Sequence, residues 1–515
     1  MITILWADDE IDLLKPQIMY LEKKGYNLIS VTNGQDAIET CKENQVDVVF
    51  LDESMPGLSG LETLTKIKEI DNHLPVVMIT KNEEENLMEE AIGSQITDYL
   101  IKPVKPQQIL STLKKITDSR VLVSEKTTSA YQQEFQKLFA SLQSVNSAEE
   151  WSQLYRKLAY WELELEKSDT KEMHEVFLMQ KREANKEFCK FVTRNYESWM
   201  QGDEDAPLLS QNLMMEKVFP HIKGEEPVFM VLIDNLRFDQ WKTLQPLILE
   251  SFRLEEESSY YSILPTATQY SRNSIFSGLT PLDIEKHFGD YWKNDDEEGG
   301  KNLHEKEMLS SLLDRTFRDE IKHSYIKITN HKNAKNLEDN ILNYIHNKLT
   351  VIVYNFVDML SHARTEMEVL KELARDEAAY RSLTYSWFHH SPLHNALKQI
   401  SEKNVKVIIT TDHGSIRVGS PSKCIGDRKT TSNIRYKNGK NLNFEPKDVY
   451  EVKDPHKICL PKPNVSSSYI FAKDDTYLVY PNNYNHYVNY FNDTFQHGGI
   501  SLEEMIIPVI TLSSK

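Results

Sequence analysis

Cysteine is scarce in this chain. The four present (Cys41, Cys189, Cys424 and Cys459) lie far apart in 515 residues and form no CxxC pair. That excludes a cysteine zinc finger and a dense disulfide framework, and it suits a reducing compartment. Long apolar runs are also missing. The longest, such as 228–233, fall far below the ~18–20 residues that span a bilayer. The opening MITILWADDE meets acid at once, so no signal peptide is expected. Positive charge is in deficit, with 60 Lys and Arg against 78 Asp and Glu and a net charge of −18. Bulk charge therefore gives no help in binding nucleic acid. Glycine and proline number 17 and 19, yet neither occurs from residue 107 to residue 201. So long a stretch without a breaker predicts helix. These absences predict a cytoplasmic protein with no membrane insertion. The length predicts about three domains at ~150 residues each.

Residues 1–118 alternate short β-rich runs (ITILWAD, YNLISV, VDVVFLD, PVVMIT, TDYLIKP) with amphipathic stretches such as 10–24 and 34–45. Five strands alternating with helices predict a doubly wound parallel sheet. Asp8 and Asp9 follow the first strand, Asp52 ends the third, Thr80 the fourth, and Lys102 follows the fifth. All lie at strand carboxyl ends, where ligands of open α/β sheets collect. Three carboxylates and a lysine suit one hard divalent cation beside a phosphoryl group. The segments WADDE, LDESMPGLSG, MITKN and DYLIKP resemble the receiver domain of two-component response regulators. The resemblance implies a flavodoxin-like fold and Asp52 as phosphoacceptor. It implies Mg²⁺ held by Asp8, Asp9, Asp52 and the Ser54 carbonyl. Thr80 and Tyr99 would be the switch pair, Lys102 would contact the phosphoryl group, and the face near 85–115 would respond.

Residues 119–205 carry three apolar stripes at helical spacing. They run through Tyr131, Phe135, Leu138, Phe139 and Leu142, through Trp151, Leu154, Tyr155 and Leu158, and through Val176, Phe177, Ala184, Phe188, Phe191 and Val192. They predict a helical-bundle connector. No helix-turn-helix with a basic recognition helix follows residue 118, and the acidic WELELEKSD run lies where one would be sought. Direct duplex DNA binding is not expected.

Residues 206–515 return to α/β patterning, with buried-strand candidates PVFMVLID, LTVIVYNFVD, VKVIITTDHG and EMIIPVITL. Asp234 closes the first of these and Asp358 the second, with His362 four residues on. Asp412 and His413 close the third, and His497 sits in FQHGG. Three Asp and three His match Zn²⁺, and as two triads they would clamp the oxygens of an in-line displacement. LPTATQYSRNSIFSGL offers Thr266, Thr268 and Ser271 as nucleophiles before a helical run. The aromatic-rich segment Tyr480, Tyr484, Tyr487, Tyr490 and Phe491 fits either packing or base stacking.

As a set these residues resemble the alkaline phosphatase superfamily, and specifically its PglZ domains. The resemblance lies in PTATQYSRNSIFSGLTP, VDMLSH, TTDHGS, HGGISLEEMIIP and IDNLRFDQW. It implies Thr268 as nucleophile, Asp358, His362 and His497 on one Zn²⁺, and Asp234, Asp412 and His413 on the other, Mn²⁺ being an alternative for such ligands. Arg272 would contact a phosphate oxygen bidentately. The nucleophile segment is similar to that of phosphodiesterases, which points to a nucleotide or a cyclic or linear oligonucleotide. Receiver, helical connector and PglZ domain in this order resemble the PorX-type response regulators of Bacteroidetes, linked to type IX secretion and gliding. That implies a sensor histidine kinase as phosphodonor, a link to an extracytoplasmic-function sigma factor and a homodimer favoured by phosphorylation. A docking protein with a structural metal site is the alternative to an enzyme.

Overall fold

The computed structural model describes residues 2–515 except 45, 72–73, 81–95, 168–170 and 428. The chain divides into two compact units, Met1–Ser129 and Ala130–Lys515.

In the first unit β1 (Thr3–Ala7), β2 (Asn27–Val31), β3 (Val48–Asp52), β4 (Val76–Thr80) and β5 (Asp98–Ile101) form one sheet in the order β2-β1-β3-β4-β5. Every pairing is parallel. This is the flavodoxin-like order, and its central strands are apolar on both faces because helices cover both. β3 is buried along its whole length, Asp52 included. Short side chains start the helices: Asn33 accepts from the Asp36 amide, and Ser59 and Glu62 form a reciprocal capping box. Gly60 is required by close approach, since a Cβ there would lie 2.4 Å from the Asp52 carbonyl oxygen.

The expected domain boundary at 118 falls inside a single helix, α1 (Pro106–Ser144). Two more helices follow, α2 (Ala148–Glu166) and α3 (Lys171–Met200), so the three apolar stripes do lie on three helices. The boundary expected at 205 does not separate compact bodies: from residue 130 the bundle and the C-terminal domain form one unit. Aromatic packing accounts for this. Trp151 meets Phe188, Phe188 and Trp199 meet Tyr261, and Tyr155 meets Phe238. The buried Tyr261 hydroxyl donates to the Ala148 carbonyl at 2.8 Å.

The second unit is built on a six-stranded sheet of β6 (Val228–Ile233), β7 (Phe252–Tyr261), β8 (His323–Ile328), β9 (Leu349–Tyr354), β10 (Lys406–Thr410) and β11 (Ile506–Ser514). Its order is β7-β11-β10-β6-β9-β8. β8, β9, β6 and β10 run parallel, while β11 is antiparallel to both neighbours. β6 and β9 are buried throughout, as their unbroken apolar runs require. The run LTVIVYNFVD is not all strand. β9 stops at Tyr354, and Asp358 stands in the first turn of helix α6 (Phe356–Glu366), whose N-terminus favours a carboxylate. Among the described residues no helix is long and apolar enough to cross a membrane.

Candidate active site

In the receiver sheet the carboxyl ends of β1, β3 and β5 converge. Asp8, Asp9 and Asp52 each offer an oxygen within 4.8 Å of the others. Asp8 and Asp52 are buried and Asp9 is exposed. Lys102 Nζ lies 2.9 Å from Asp8 and 2.7 Å from Asp52. Burial pushes the Asp52 carboxyl up, Lys102 pulls it part of the way back, and Asp8 adds to the rise. Burial opposes the charge of Lys102, but its bonds to Asp52 and Asp8 outweigh that and raise its pKa. Thr80 donates its hydroxyl to Glu53. The Tyr99 side chain is largely open, at 40 % exposure. Ser54 is exposed two residues beyond Asp52. Much of the expected responding face, 85–95, lies outside the described residues.

In the second unit the six expected ligands gather as two triads, each with ligand atoms within 4.8 Å of one another. Asp234 and Asp412 follow β6 and β10, and with His413 they are sealed from solvent. Asp358 and His362, one turn apart on α6, meet His497. The triads adjoin, for the rings of His413 and His497 stack with centroids 4.1 Å apart. His413 turns Nδ1 to the Gly414 carbonyl at 3.2 Å, and His497 turns Nδ1 to that of Thr266 at 3.0 Å. Each therefore presents Nε2 to the carboxylates: His413 to Asp234 at 3.8 Å and His497 to Asp358 at 3.7 Å. Asp234 Oδ1, Asp358 Oδ1 and Asp412 Oδ2 are buried oxygens that accept no hydrogen bond.

Those orphaned oxygens are the signature of cation ligands, because desolvated lone pairs left unmatched are costly. Charge says the same. Burial raises Asp234 well above the usual carboxylate range, against the pull of Arg272, and the neighbouring Asp412 raises it further. Burial also disfavours the Asp412 anion, but His413 and Arg272 hold its pKa down. Two such carboxylates need a proton or a cation between them. Burial, then His413 and His362, keep the His497 imidazole neutral, as a ligand must be. The donor set fits two divalent ions.

The three candidate hydroxyls separate here. Thr266 donates to the Gly499 carbonyl at 2.9 Å and accepts from the Gly498 amide, so it ties down the His497 loop. Ser271 is buried against the Ser262 hydroxyl at 2.7 Å. Thr268 stands half-buried as the first residue of α5 (Thr268–Ser277), with Oγ1 3.0 Å from His413 Nε2. The Ala267 before it supplies no side-chain cap, which leaves the helix N-terminus to an anion. Arg272, expected to contact a phosphate oxygen bidentately, is instead engaged with carboxylates. It is 2 % exposed and is bound to Asp234 at 3.2 Å, Glu305 at 2.8 Å and Asn355 at 3.3 Å. Its charge holds the Asp234 carboxylate in place.

Sequence reasoning missed Glu305, which also takes Lys327 and the Tyr325 hydroxyl, each at 2.6 Å. It missed the buried Arg435–Glu504 pair at 2.6 Å, whose carboxylate also receives the Gly499 amide. Gly498 has φ 123°, and a Cβ on Gly499 would lie 2.4 Å from the Ala472 carbonyl oxygen, so FQHGG needs both glycines. In the late aromatic segment Tyr484 and Phe491 pack on a small core with Ile416 and Val418, while Tyr487 is 40 % exposed.

Residues 4–114 match the response regulator receiver domain, and residues 213–512 match the PglZ domain, described as the alkaline phosphatase-like domain of the BREX system. The helices between them decide the family, because residues 121–200 match the PorX response regulator linker domain. The chain belongs to the PorX-type response regulators. This PorX-type chain is also 32 % identical over 113 residues to the transcriptional regulatory protein SrrA of Staphylococcus aureus, a match covering 22 % of this chain and 46 % of SrrA. It thus spans about half the length of the curated relatives it matches. Among solved structures it is similar to a CheY-like receiver domain from Methanospirillum hungatei JF-1 (21 % identity, TM-score 0.23), covering 23 % of this chain and 95 % of that one. A receiver domain protein from Clostridium thermocellum gives 28 % identity and a TM-score of 0.23, with coverages of 24 % and 98 %.

Proposed function

We propose that the PglZ domain is a phosphodiesterase acting on nucleotides or on cyclic or linear oligonucleotides, and that phosphorylation of Asp52 controls it within the cytoplasmic regulation of type IX secretion and gliding. One observation carries this reading: the half-buried Thr268 hydroxyl stands 3.0 Å from His413 Nε2, beside two triads that contain buried oxygens accepting no hydrogen bond. Asp358, His362 and His497 would hold one Zn²⁺, and Asp234, Asp412 and His413 the other. When bound, the ions lower the pKa of the hydroxyl and neutralise charge on the phosphoryl oxygens. Thr268 Oγ1 gives its proton to water and forms a bond to phosphorus as the bond to the leaving nucleoside oxygen breaks, and that oxygen takes a proton from water. Water then cleaves the threonine ester and restores the hydroxyl. The head of α5 faces the anion throughout. A diester is favoured over a monoester because a monoester dianion demands more positive charge, and Arg272 spends its charge on Asp234 and Glu305.

In the receiver, Asp8, Asp9, Asp52 and the Ser54 carbonyl would hold Mg²⁺. A sensor histidine kinase would donate the phosphoryl group to Asp52, with Lys102 pairing to it and Thr80 and Tyr99 responding. A homodimer favoured by phosphorylation and a link to a sigma factor belong to the same proposal.

The test is hydrolysis of a panel of linear and cyclic oligonucleotides by the zinc-loaded chain beside Thr268→Val. We expect cleavage by the wild type and none by the variant, with both retaining zinc. Absence of cleavage by a zinc-loaded wild type, with and without phosphodonor, would replace the enzyme with a docking protein.

A further inference from the structure

The helices between receiver and PglZ domain carry charges that a mere connector has no use for. Glu162 on α2 is 2 % exposed. It binds Lys181 of α3 at 2.8 Å and Arg381 at 3.1 Å. Arg381 lies on helix α7 (Glu377–His389) of the C-terminal domain and also binds Glu166 at 2.6 Å and Asp239 at 2.8 Å. Asp239 is shared with Arg237 through two bonds, at 3.0 and 2.7 Å. Burial disfavours the Asp239 anion, yet Arg237 and Arg381 hold its pKa far down. Burying so many charges is costly unless each is paired.

Arg237 is where this chain of ions meets the ligands. It lies three residues after Asp234 and is 1 % exposed. Its guanidinium sits 5.1 Å from the ring of Phe495, two residues before His497. Its Cγ lies 3.4 Å from the place a Cβ would take on Gly414, the residue after His413. One buried side chain therefore touches the loops carrying Asp234, His413 and His497. A second arm reaches the Gly414 loop through Glu503. Lys181 binds Glu503 at 3.0 Å. Asn185 donates to Glu503 at 3.0 Å and accepts the Leu502 amide at 2.8 Å. Glu503 in turn presses on Gly414, where a Cβ would lie 2.0 Å from its carbonyl oxygen. Glu162, Asp239 and Glu377 are close enough to suggest a further cation site, but Arg237, Arg381 and Lys181 already supply their counter-charges.

We infer that the linker helices are a structural part of the metal centre, and that Glu162, Lys181 and Asn185 are positioning residues for Asp234, His413 and His497. They touch neither substrate nor metal, and they act through Arg381, Asp239, Arg237 and Glu503. The site is incomplete without the linker. A displacement of α2 or α3 breaks these ion pairs as well as the aromatic contacts. This rests on the metal-centre reading above, not on the identity of the substrate.

The experiment uses the full chain loaded with Co²⁺, whose visible absorption reports ligand geometry. Cobalt affinity is measured by chelator competition for wild type, Glu162→Gln, Asn185→Ala, Lys181→Arg and the exposed-face control Lys190→Gln, with circular dichroism as the check on folding. Glu162→Gln and Asn185→Ala should bind cobalt about tenfold more weakly, the lower end of outer-shell effects, with an altered visible spectrum. Lys181→Arg should keep most of the affinity, and Lys190→Gln should match wild type. Asn185→Ala leaves no unpaired buried charge, so it remains informative if Glu162→Gln fails to fold. Wild-type affinity and spectrum in folded Glu162→Gln or Asn185→Ala would overturn the proposal and leave the phosphodiesterase reading untouched. Weakened cobalt binding in a chain that cleaves no oligonucleotide would uphold the proposal and sink that reading. A wild type that binds no cobalt would overturn both.

Discussion

Replacing Glu305 by glutamine removes a charge and little else. The side chain is 1 % exposed and keeps its shape. Its loss as an anion leaves Arg272 and Lys327 without the carboxylate that sits 2.8 and 2.6 Å from them. Arg272 then has Asp234 at 3.2 Å and Asp412 at 3.6 Å as its remaining carboxylates. Breaking one member of a buried ion pair costs about 3–5 kcal/mol of stability. The second consequence is functional. A guanidinium drawn further onto Asp234 and Asp412 competes with the cation for the same oxygens. Outer-shell changes of this kind lower metal affinity about 10–100-fold, which is about 1.4–2.8 kcal/mol at 1.4 kcal/mol per decade. Glu305→Gln should therefore unfold at lower denaturant concentration and lose zinc to a chelator at a tenfold or greater dilution of that chelator. Added zinc should recover turnover if the remaining ligands are intact. A folded Glu305→Gln with wild-type stability and wild-type zinc retention would refute the assignment of Arg272 and Glu305 to the ligand frame.

Three further outcomes are expected. Lys102→Met leaves the buried Asp8 and Asp52 without their shared ammonium, so phosphorylation by a small-molecule donor should fall at least tenfold; because burial already raises Asp52, the wild-type rate should drop on acidification at a pH above the ordinary carboxylate range, and the variant's at a higher pH still. Asp474 is pushed up to about 7, well above the usual carboxylate range, first by burial and then by Asp475 and Glu503. The folded chain binds that proton more tightly than the unfolded one, so stability falls as pH rises from about 4 to about 7; after discounting for partial exposure, Asp474→Asn should gain about 2 kcal/mol at pH 8 and almost nothing at pH 4 in thermal unfolding. Gly414→Ala puts a Cβ 2.0 Å from the Glu503 carbonyl oxygen, which should cost about 1–3 kcal/mol and displace His413, read as weaker zinc retention in a chain with an unchanged receiver.

Much of this was legible in the residues. The receiver strands, and Asp234, Asp412 and His413 in the second unit, announce themselves because they are, or directly follow, short apolar runs, where the rules of open sheets place chemistry. Asp358 was harder. Its NFVD context continues an apolar run, and only the backbone shows that the strand has ended and a helix has begun. Glu162 was harder still. It belongs to the acidic WELELEKSD run, yet it is buried and paired with Lys181 and Arg381. Nothing local marks it, since a counter-charge that arrives from far along the chain leaves no periodicity beside it. Arg272 and Glu305 were opaque for the same reason. The division at 118 falls between the matched receiver and linker segments, yet no break in the backbone marks it, because α1 carries the same helical pattern through both sides of it.

The position of β11 has a consequence for biosynthesis. It lies inside the sheet, between β7 and β10, and it runs against both. The loop just before it delivers His497. Pairings that span so much of the chain form late and slowly. A ribosome-bound chain that has not yet released this segment leaves β7 unpaired beside an open edge at β10 and lacks His497. Closure of that seam and completion of the Asp358, His362 and His497 triad therefore arrive together.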